Sequence, residues 1–321
     1  MAARRNTCPG RSVTGTNGEP YHDLGASIMD IGRIGIWTSA FEQQPWSAAA
    51  EAAAELDELG YGALWYPEGR GRDTFAQGAL ILSATKRIVA APGIANLYAH
   101  DAMGMAAGQR TLCEAFPHRF LLGVGVSHRP AVEGIRGQTY GPPLTTMRRY
   151  LDVMDAAPYA PPHRGPEEPR ILAALGPRML ELSKTRAQGA HPYFVPAEHT
   201  EQARQILGEG PILAPEQAVV LERDPSKARE IARTHVPNYL RLENYANNLR
   251  RLGFSEEDLT GAGTDRLVDA IVAWGSIEDV VKRVQAHLDA GADHVCIQVL
   301  TADPRTLPKQ EWRDLAAALL K

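Results

Sequence analysis

The chain has 321 residues, 44% of them hydrophobic and 22% charged, with a formal net charge of −4, which suits a globular protein with one large core or two small ones. That charge offers no broad basic field and so excludes nucleic acid as the main partner. No apolar run approaches the ~20 residues needed to span a bilayer, and the Arg4, Arg5 and Arg11 region is followed by no signal-peptide core, so a membrane partner is excluded and a cytoplasmic location is expected.

Residues 1–30 are rich in Gly, Asn, Thr and Arg and lack periodicity; they read as disordered, or as a mis-assigned extension with Met29 as the true start. Residues 31–321 then form a single domain. Short β-rich runs alternate with helical stretches, the pattern of a parallel α/β sheet. The first strand is expected at 33–37. A helix follows over 45–59, with Pro45 in its first turn and Gly60 as its C-cap. Strands follow at 63–66, 87–91, 120–124, 170–174, 190–195 and 217–221, then a helix over 277–288 and a last strand at 294–300. Eight parallel strands imply a closed (β/α)8 TIM barrel. Two intervals are longer than ordinary connections: a Gly- and Pro-bearing loop over 127–144 after strand four, and a largely helical insertion over 224–274 between strands seven and eight. Loops of this length are commonly lids or binding loops. Cys8, Cys113 and Cys296 are far apart and show neither disulfide nor metal-ligand spacing, which fits a reducing compartment.

In such a barrel the site lies at the C-terminal ends of the strands. There the sequence places Trp37, Glu68, Gly93 to Asn96, Gly125 to His128, Gly176-Pro177-Arg178 and His191-Pro192-Tyr193. Aromatics and glycines dominate, a set that suits a flat apolar ring anchored by backbone better than it suits hydrolysis. No convergent metal-ligand set, no Gly-x-Ser-x-Gly elbow and no Walker loop is present, so no metal is expected. Gly176-Pro177-Arg178 opens a helix expected over 179–187; it is either a phosphate site, through the helix N-terminus and Arg178, or a plain strand-to-helix turn. His128 is a proton donor, a ligand contact or polar surface. Glu68 handles a proton or pairs with Arg70 or Arg72. His100-Asp101 either caps the next helix or takes part in chemistry.

Several segments resemble the luciferase-like flavin and deazaflavin oxidoreductases. They are Gly-Tyr-Gly-Ala-Leu-Trp-Tyr-Pro-Glu-Gly ending at Gly69, the Gly93-Ile-Ala-Asn96 turn, Arg-Phe-Leu-Leu-Gly-Val-Gly-Val-Ser-His ending at His128, Ala-Ala-Leu-Gly-Pro-Arg-Met-Leu ending at Leu180, and Gly291-Ala-Asp-His-Val295. Trp-x-Pro-Glu-Gly and Gly-Val-Gly-Val-Ser-His are similar to the actinobacterial subgroup that uses coenzyme F420. The resemblance implies a cis Gly93-Ile94 bond, a ring framed by Trp37, Gly93, Ile94 and Asn96 with Gly125 in close approach, and a phosphate held by Gly176 and Arg178. It further implies Glu68 or His128 as proton carrier, a homodimer, and hydride transfer between F420 and a small organic substrate. Better-known members carry Asp-His where this chain has Glu68, which puts the usual catalytic His in doubt. Two alternatives stay open: an FMN-dependent monooxygenase using reduced flavin and O2, and a non-catalytic flavin- or deazaflavin-binding protein.

Overall fold

The computed structural model describes residues 29–162, 165 and 168–320. The expected extension before Met29 lies outside them, and Met29 itself is buried. In chain order the strands are β1 (Ile34–Trp37), β2 (Ala63–Tyr66), β3 (Val89–Pro92), β4 (Ala95–Asn96), β5 (Leu122–Gly125), β6 (Arg170–Leu172), β7 (Gly189–Ala190), β8 (Ile212–Leu213), β9 (Glu216–Val220), β10 (Val272–Trp274) and β11 (Val295–Val299). All pair in parallel, in the orders β10-β9-β11-β1-β2-β3 and β4-β5-β6-β7-β8. The two sheets share strands: β3 and β4 are halves of one run parted by Gly93-Ile94, and β8 and β9 are halves of another parted by Ala214-Pro215. The circuit therefore closes into the expected barrel. Ala90 also bridges to Phe120 across the first seam.

The strand sequences Ile-Gly-Ile-Trp, Ala-Leu-Trp-Tyr and Leu-Gly-Val-Gly are buried along their whole length, as parallel strands covered on both faces must be. The helices are α1 (Trp46–Leu59), α2 (Thr74–Ala84), α3 (Ala102–Ala115), α4 (Arg129–Gly134), α5 (Pro143–Ala156), α6 (Pro177–Arg186), α7 (Ala197–Leu207), α8 (Pro225–Leu240), α9 (Glu243–Arg251), α10 (Asp265–Ile271), α11 (Ile277–Asp289) and α12 (Lys309–Leu319). In α1 the buried residues Ala49, Ala52, Ala53 and Leu56 recur at helical spacing and turn one stripe to the barrel. Gly60 closes it in the left-handed region at φ 94°, a conformation that costs glycine nothing. Asp73 and Asp101 accept backbone N–H groups at the starts of α2 and α3, and Ser276 with Asp279 forms a capping box on α11. None of the described helices is long and apolar enough to cross a membrane.

The expected boundaries shift where local chemistry intervenes. Helix α1 starts at Trp46, with Pro45 as its N-cap. The sixth strand shrinks to Gly189–Ala190, because Pro192 has no N–H to give a ladder and Phe194 turns the chain at φ 59°. The seventh changes partners at Pro215, pairing with β7 before it and with β11 after it. The insertion between strands seven and eight is not wholly helical: Val272–Trp274 returns as a strand alongside β9.

Candidate functional site

Two cavities open at the C-terminal ends of the strands. The first, about 310 Å³, lies over β4 to β7; Ile94, Gly125, Ala173, Gly176, His191 and Tyr193 come from strand ends and the turns after them. Ser127, His128 and Tyr140 enter from the loop after β5, and Asn244, Tyr245 and Arg251 from α9. The second, about 910 Å³, lies over β1, β2 and β11 and is roofed by α8 through His235 and Tyr239. An aromatic wall parts them. Trp37 lines the larger cavity and packs 5.2 Å from Tyr193, which lines the smaller. The Tyr193 hydroxyl lies 2.9 Å from that of Tyr239 and 2.7 Å from Gln298 Oε1. Both long intervals singled out in the sequence thus contribute walls. Ser127 and Phe194, beside the smaller cavity, hold positive φ of 56° and 59°, a sparsely populated region that costs about 1–3 kcal/mol per residue and clusters at functional sites.

Four of the expected residues meet in the smaller cavity: Ile94, Gly125, His128 and Gly176. The Gly93-Ile94 peptide is cis. Trp37 reaches the same place from the other side, its indole N–H donating to the Gly93 carbonyl at 3.2 Å. A Cβ on Gly125 would meet Ile94 Cδ1 at 2.5 Å, so glycine there keeps open the space over the turn. Gly176 is the N-cap of α6, and Met179 of its first turn also lines the cavity. His128 lies with Nδ1 3.1 Å from Asn244 Oδ1 and its ring 5.5 Å from Tyr245. Burial lowers its pKa, which leaves it neutral at pH 7 and able to accept a proton.

Arg178, Asn96 and Glu68 line neither of the two cavities. Arg178 is exposed and is not among the residues lining the cavity; the guanidinium at that mouth is Arg251, whose Nη2 lies 3.8 Å from where a Gly176 Cβ would stand. Asn96 is buried and its Oδ1 accepts the Tyr98 N–H at 2.9 Å, so it shapes the turn after β4. Glu68 lines neither cavity.

Its carboxylate accepts the Asn96 N–H at 2.7 Å and the Thr74 N–H at 3.3 Å, and lies 2.6 Å from His100 Nε2. Neither Arg70 nor Arg72 pairs with it: Arg72 donates to the carbonyls of Phe41 and Gln44. The hydrogen bond to Glu68 raises the His100 pKa against the opposing effect of burial, and Asp101, not His100, caps α3. Glu68, Asp73 and His100 bring ligand-type atoms within 4.8 Å of one another, yet Asp73 caps α2 and Glu68 already holds three donors. The group is a brace tying β2 to the turn that carries Ile94. Glu68→Ala is therefore expected to cost about 2–3 kcal/mol in urea unfolding, because buried donors lose their acceptor. It should also lower the His100 pKa read by NMR; an unchanged stability and titration would dismiss the brace.

Sequence reasoning noted His191 and Tyr193 as rim residues without a role, and missed Arg251, Asn244 and Tyr245. The last three come from α9, whose amphipathic pattern is that of any surface helix. Burial holds His191 down to about 4 and pushes the Tyr193 and Tyr245 hydroxyls well up. At neutral pH the smaller cavity is thus lined by uncharged groups up to its mouth, where Arg251 stands.

A family profile described as luciferase-like monooxygenase matches residues 27–294. A Mycobacterium tuberculosis protein provisionally named a coenzyme F420-dependent oxidoreductase is 24% identical, over 90% of this chain and 99% of its own. Among solved structures, the coenzyme F420-dependent tetrahydromethanopterin reductase from Methanopyrus kandleri superposes with a TM-score of 0.70 at 17% identity, covering 88% of this chain and 97% of that one. The oxygenating constituent of 3,6-diketocamphane monooxygenase from Pseudomonas putida, in complex with FMN, superposes with a TM-score of 0.65 at 15% identity, covering 88% and 95%.

Proposed function

The chain belongs to the luciferase-like monooxygenase family, and from that premise we propose that it is an oxidoreductase using coenzyme F420 to transfer a hydride to or from a small organic substrate. The observation that carries this reading is the smaller cavity, which joins the Ile94 turn to a helix N-terminus. Its residues fit a tricyclic ring with a phosphate-bearing chain. Gly125 leaves room beside Ile94, His191 Nε2 is buried without a partner, and the start of α6 with Arg251 supplies the positive end for an anion. A volume of about 310 Å³ is within the range of small-molecule sites.

The cofactor, when bound, supplies the hydride acceptor or donor carbon of its ring; the chain supplies position and electrostatics. Ile94 and Trp37 shape the two sides of the Gly93 turn, Tyr245 and Met179 exclude water, and Arg251 neutralises phosphate. The larger cavity, adjoining through Trp37, takes the substrate. His128, neutral and facing the smaller cavity, holds or accepts the proton that accompanies hydride transfer. A homodimer in the cytoplasm, supported by family resemblance, completes the proposal.

Fluorescence titration with F420 and with FMN, followed by anaerobic oxidation of the reduced cofactor with carbonyl acceptors, tests it. The expected result is saturable F420 binding and acceptor-dependent oxidation without oxygen. Binding of FMN alone with oxygen consumption would replace the reading by a flavin monooxygenase. Binding without oxidation by any acceptor would favour a carrier.

A further inference from the structure

We propose that His191 is a direct ligand contact, an acceptor-only imidazole whose Nε2 lone pair takes a hydrogen bond from the imide N–H of a bound flavin-like ring. The inference rests on the cofactor reading above and adds the group that reads the pyrimidine edge of the ring.

The two ring nitrogens have different surroundings. Nδ1 lies 2.7 Å from the Ala214 carbonyl; a carbonyl can only accept, so Nδ1 carries the proton and Nε2 is left as a bare lone pair. The side chain is 1% exposed, yet Nε2 has no hydrogen-bond partner. Leaving a buried polar atom unsatisfied costs free energy, and such an atom in a folded protein calls for an explanation.

The position supplies one. His191 lines the smaller cavity, and a Cβ on Gly93 would stand 3.0 Å from Nε2, so the lone pair is beside the turn that carries Ile94. The nearby indole N–H of Trp37 is already engaged by the Gly93 carbonyl. The imidazole cannot turn away. It stacks on Trp65 at 4.3 Å and 15°, and Trp65 in turn donates to His294 Nε2 at 3.0 Å while His294 Nδ1 donates to the Gly32 carbonyl at 2.8 Å. With a pKa of about 4, His191 is a poor base at neutral pH, which separates it from the proton-handling role. What it can do is accept.

A neutral acceptor repels carbonyl and phenolate oxygens and selects an N–H. The pyrimidine-dione edge of a flavin or deazaflavin presents one N–H between two carbonyls, and this is the donor the geometry calls for. The contact therefore sets which way round the ring lies in the cavity.

The test uses the full chain labelled with 15N-histidine, F420 and FMN, and their N3-methyl counterparts, which keep the ring but lack the donor. On saturation with F420 the His191 Nε2 resonance should move from its unprotonated position in the direction of hydrogen-bond acceptance; the N3-methyl cofactor should leave it in place. His191→Phe should weaken F420 roughly 5- to 12-fold, the loss of one hydrogen bond. His191→Gln, which restores an acceptor, should recover part of it, and the N3-methyl cofactor should bind the wild type and the Phe variant alike. A motionless resonance in a saturated wild-type protein, or equal losses for both cofactors, overturns the contact while leaving the cofactor reading standing. Failure of the wild type to bind either F420 or FMN overturns that reading, and the contact with it.

Discussion

Stability peaks near pH 7 and falls by roughly 3 kcal/mol by pH 5.5, because this fold buries several histidines in the neutral state. His191, His235 and His294 are held down to about 4 and His287 to about 3, in each case first by burial. Below pH 6.5 the unfolded chain binds protons that the folded chain refuses, so each histidine's contribution is present above its unfolded pKa and is lost as pH falls through the folded one. Each unit of pKa difference corresponds to about 1.4 kcal/mol. One buried acid works in the other sense. Glu216, whose Oε2 accepts the Phe194 N–H at 3.1 Å, is pushed up to about 8 by burial. It favours folding when protonated and loses that contribution as pH rises from about 4.5 to 8. Four histidines against one carboxyl leave three net protons driving unfolding in mild acid, and the carboxyl alone gives the shallower decline above the maximum. Urea midpoints from pH 8 to 4.5 check the curve. His235→Phe removes a titrating group whose Nε2 has no partner and should make the protein more acid-resistant. A flat profile from pH 7 to 5 would show that these histidines are hydrated or already protonated in the folded state.

Arg251→Ala weakens the phosphorylated cofactor about 10- to 150-fold, the worth of one charge-assisted contact of roughly 1.5–3 kcal/mol, and leaves the phosphate-free riboside nearly unaffected. Arg251 is exposed and held through Nη2 to Asn248 Oδ1 at 3.0 Å, so its removal disturbs no core packing. Its place beside Gly176 aims a positive charge at the start of α6, where the helix dipole already favours an anion. Arg178→Ala, the substitution the sequence would have suggested, should change affinity little, because that side chain lies outside the cavity. Parallel titrations of both variants with F420 and its riboside decide between them. Equal weakening of both ligands by Arg251→Ala would mean that the guanidinium holds the wall and not the phosphate.

The contrast between Arg178 and Arg251 shows what a linear reading reaches. Features set by neighbours in the chain were legible: the alternation of strands and helices, Gly60 as a helix end, Gly176 as a helix start, and the family motif around Gly93. Features set by packing were not. Glu68 and His100 stand 32 residues apart and meet only because β2 and the turn after β4 lie side by side, so the partners of that carboxylate could not be read along the chain. His191 was visible as a rim residue, but its unmatched nitrogen depends on Ala214 and Trp65, contributed by two other strands. Arg251 stands in an ordinary basic helix end, and nothing local marks it as the cation that reaches Gly176. The Val-Ala-Trp strand was hidden because three residues carry too little periodicity to stand out inside a helical stretch.

That short strand has a consequence for how the enzyme can be altered. Because Val272 pairs with Ala218 and Trp274 with Val220, the excursion that begins after Val220 returns to the edge of the strand it left, one strand spacing of about 4.8 Å away. Everything between, including the walls of both cavities built by α8 and α9, leaves and rejoins the barrel at two adjacent points of the chain and packs back onto it through Tyr193, Phe194 and His128. Exchanging residues 224–271 for the corresponding stretch of a relative should change what is recognised without re-threading the barrel, so new substrate preferences can be transplanted whole instead of being assembled one side chain at a time.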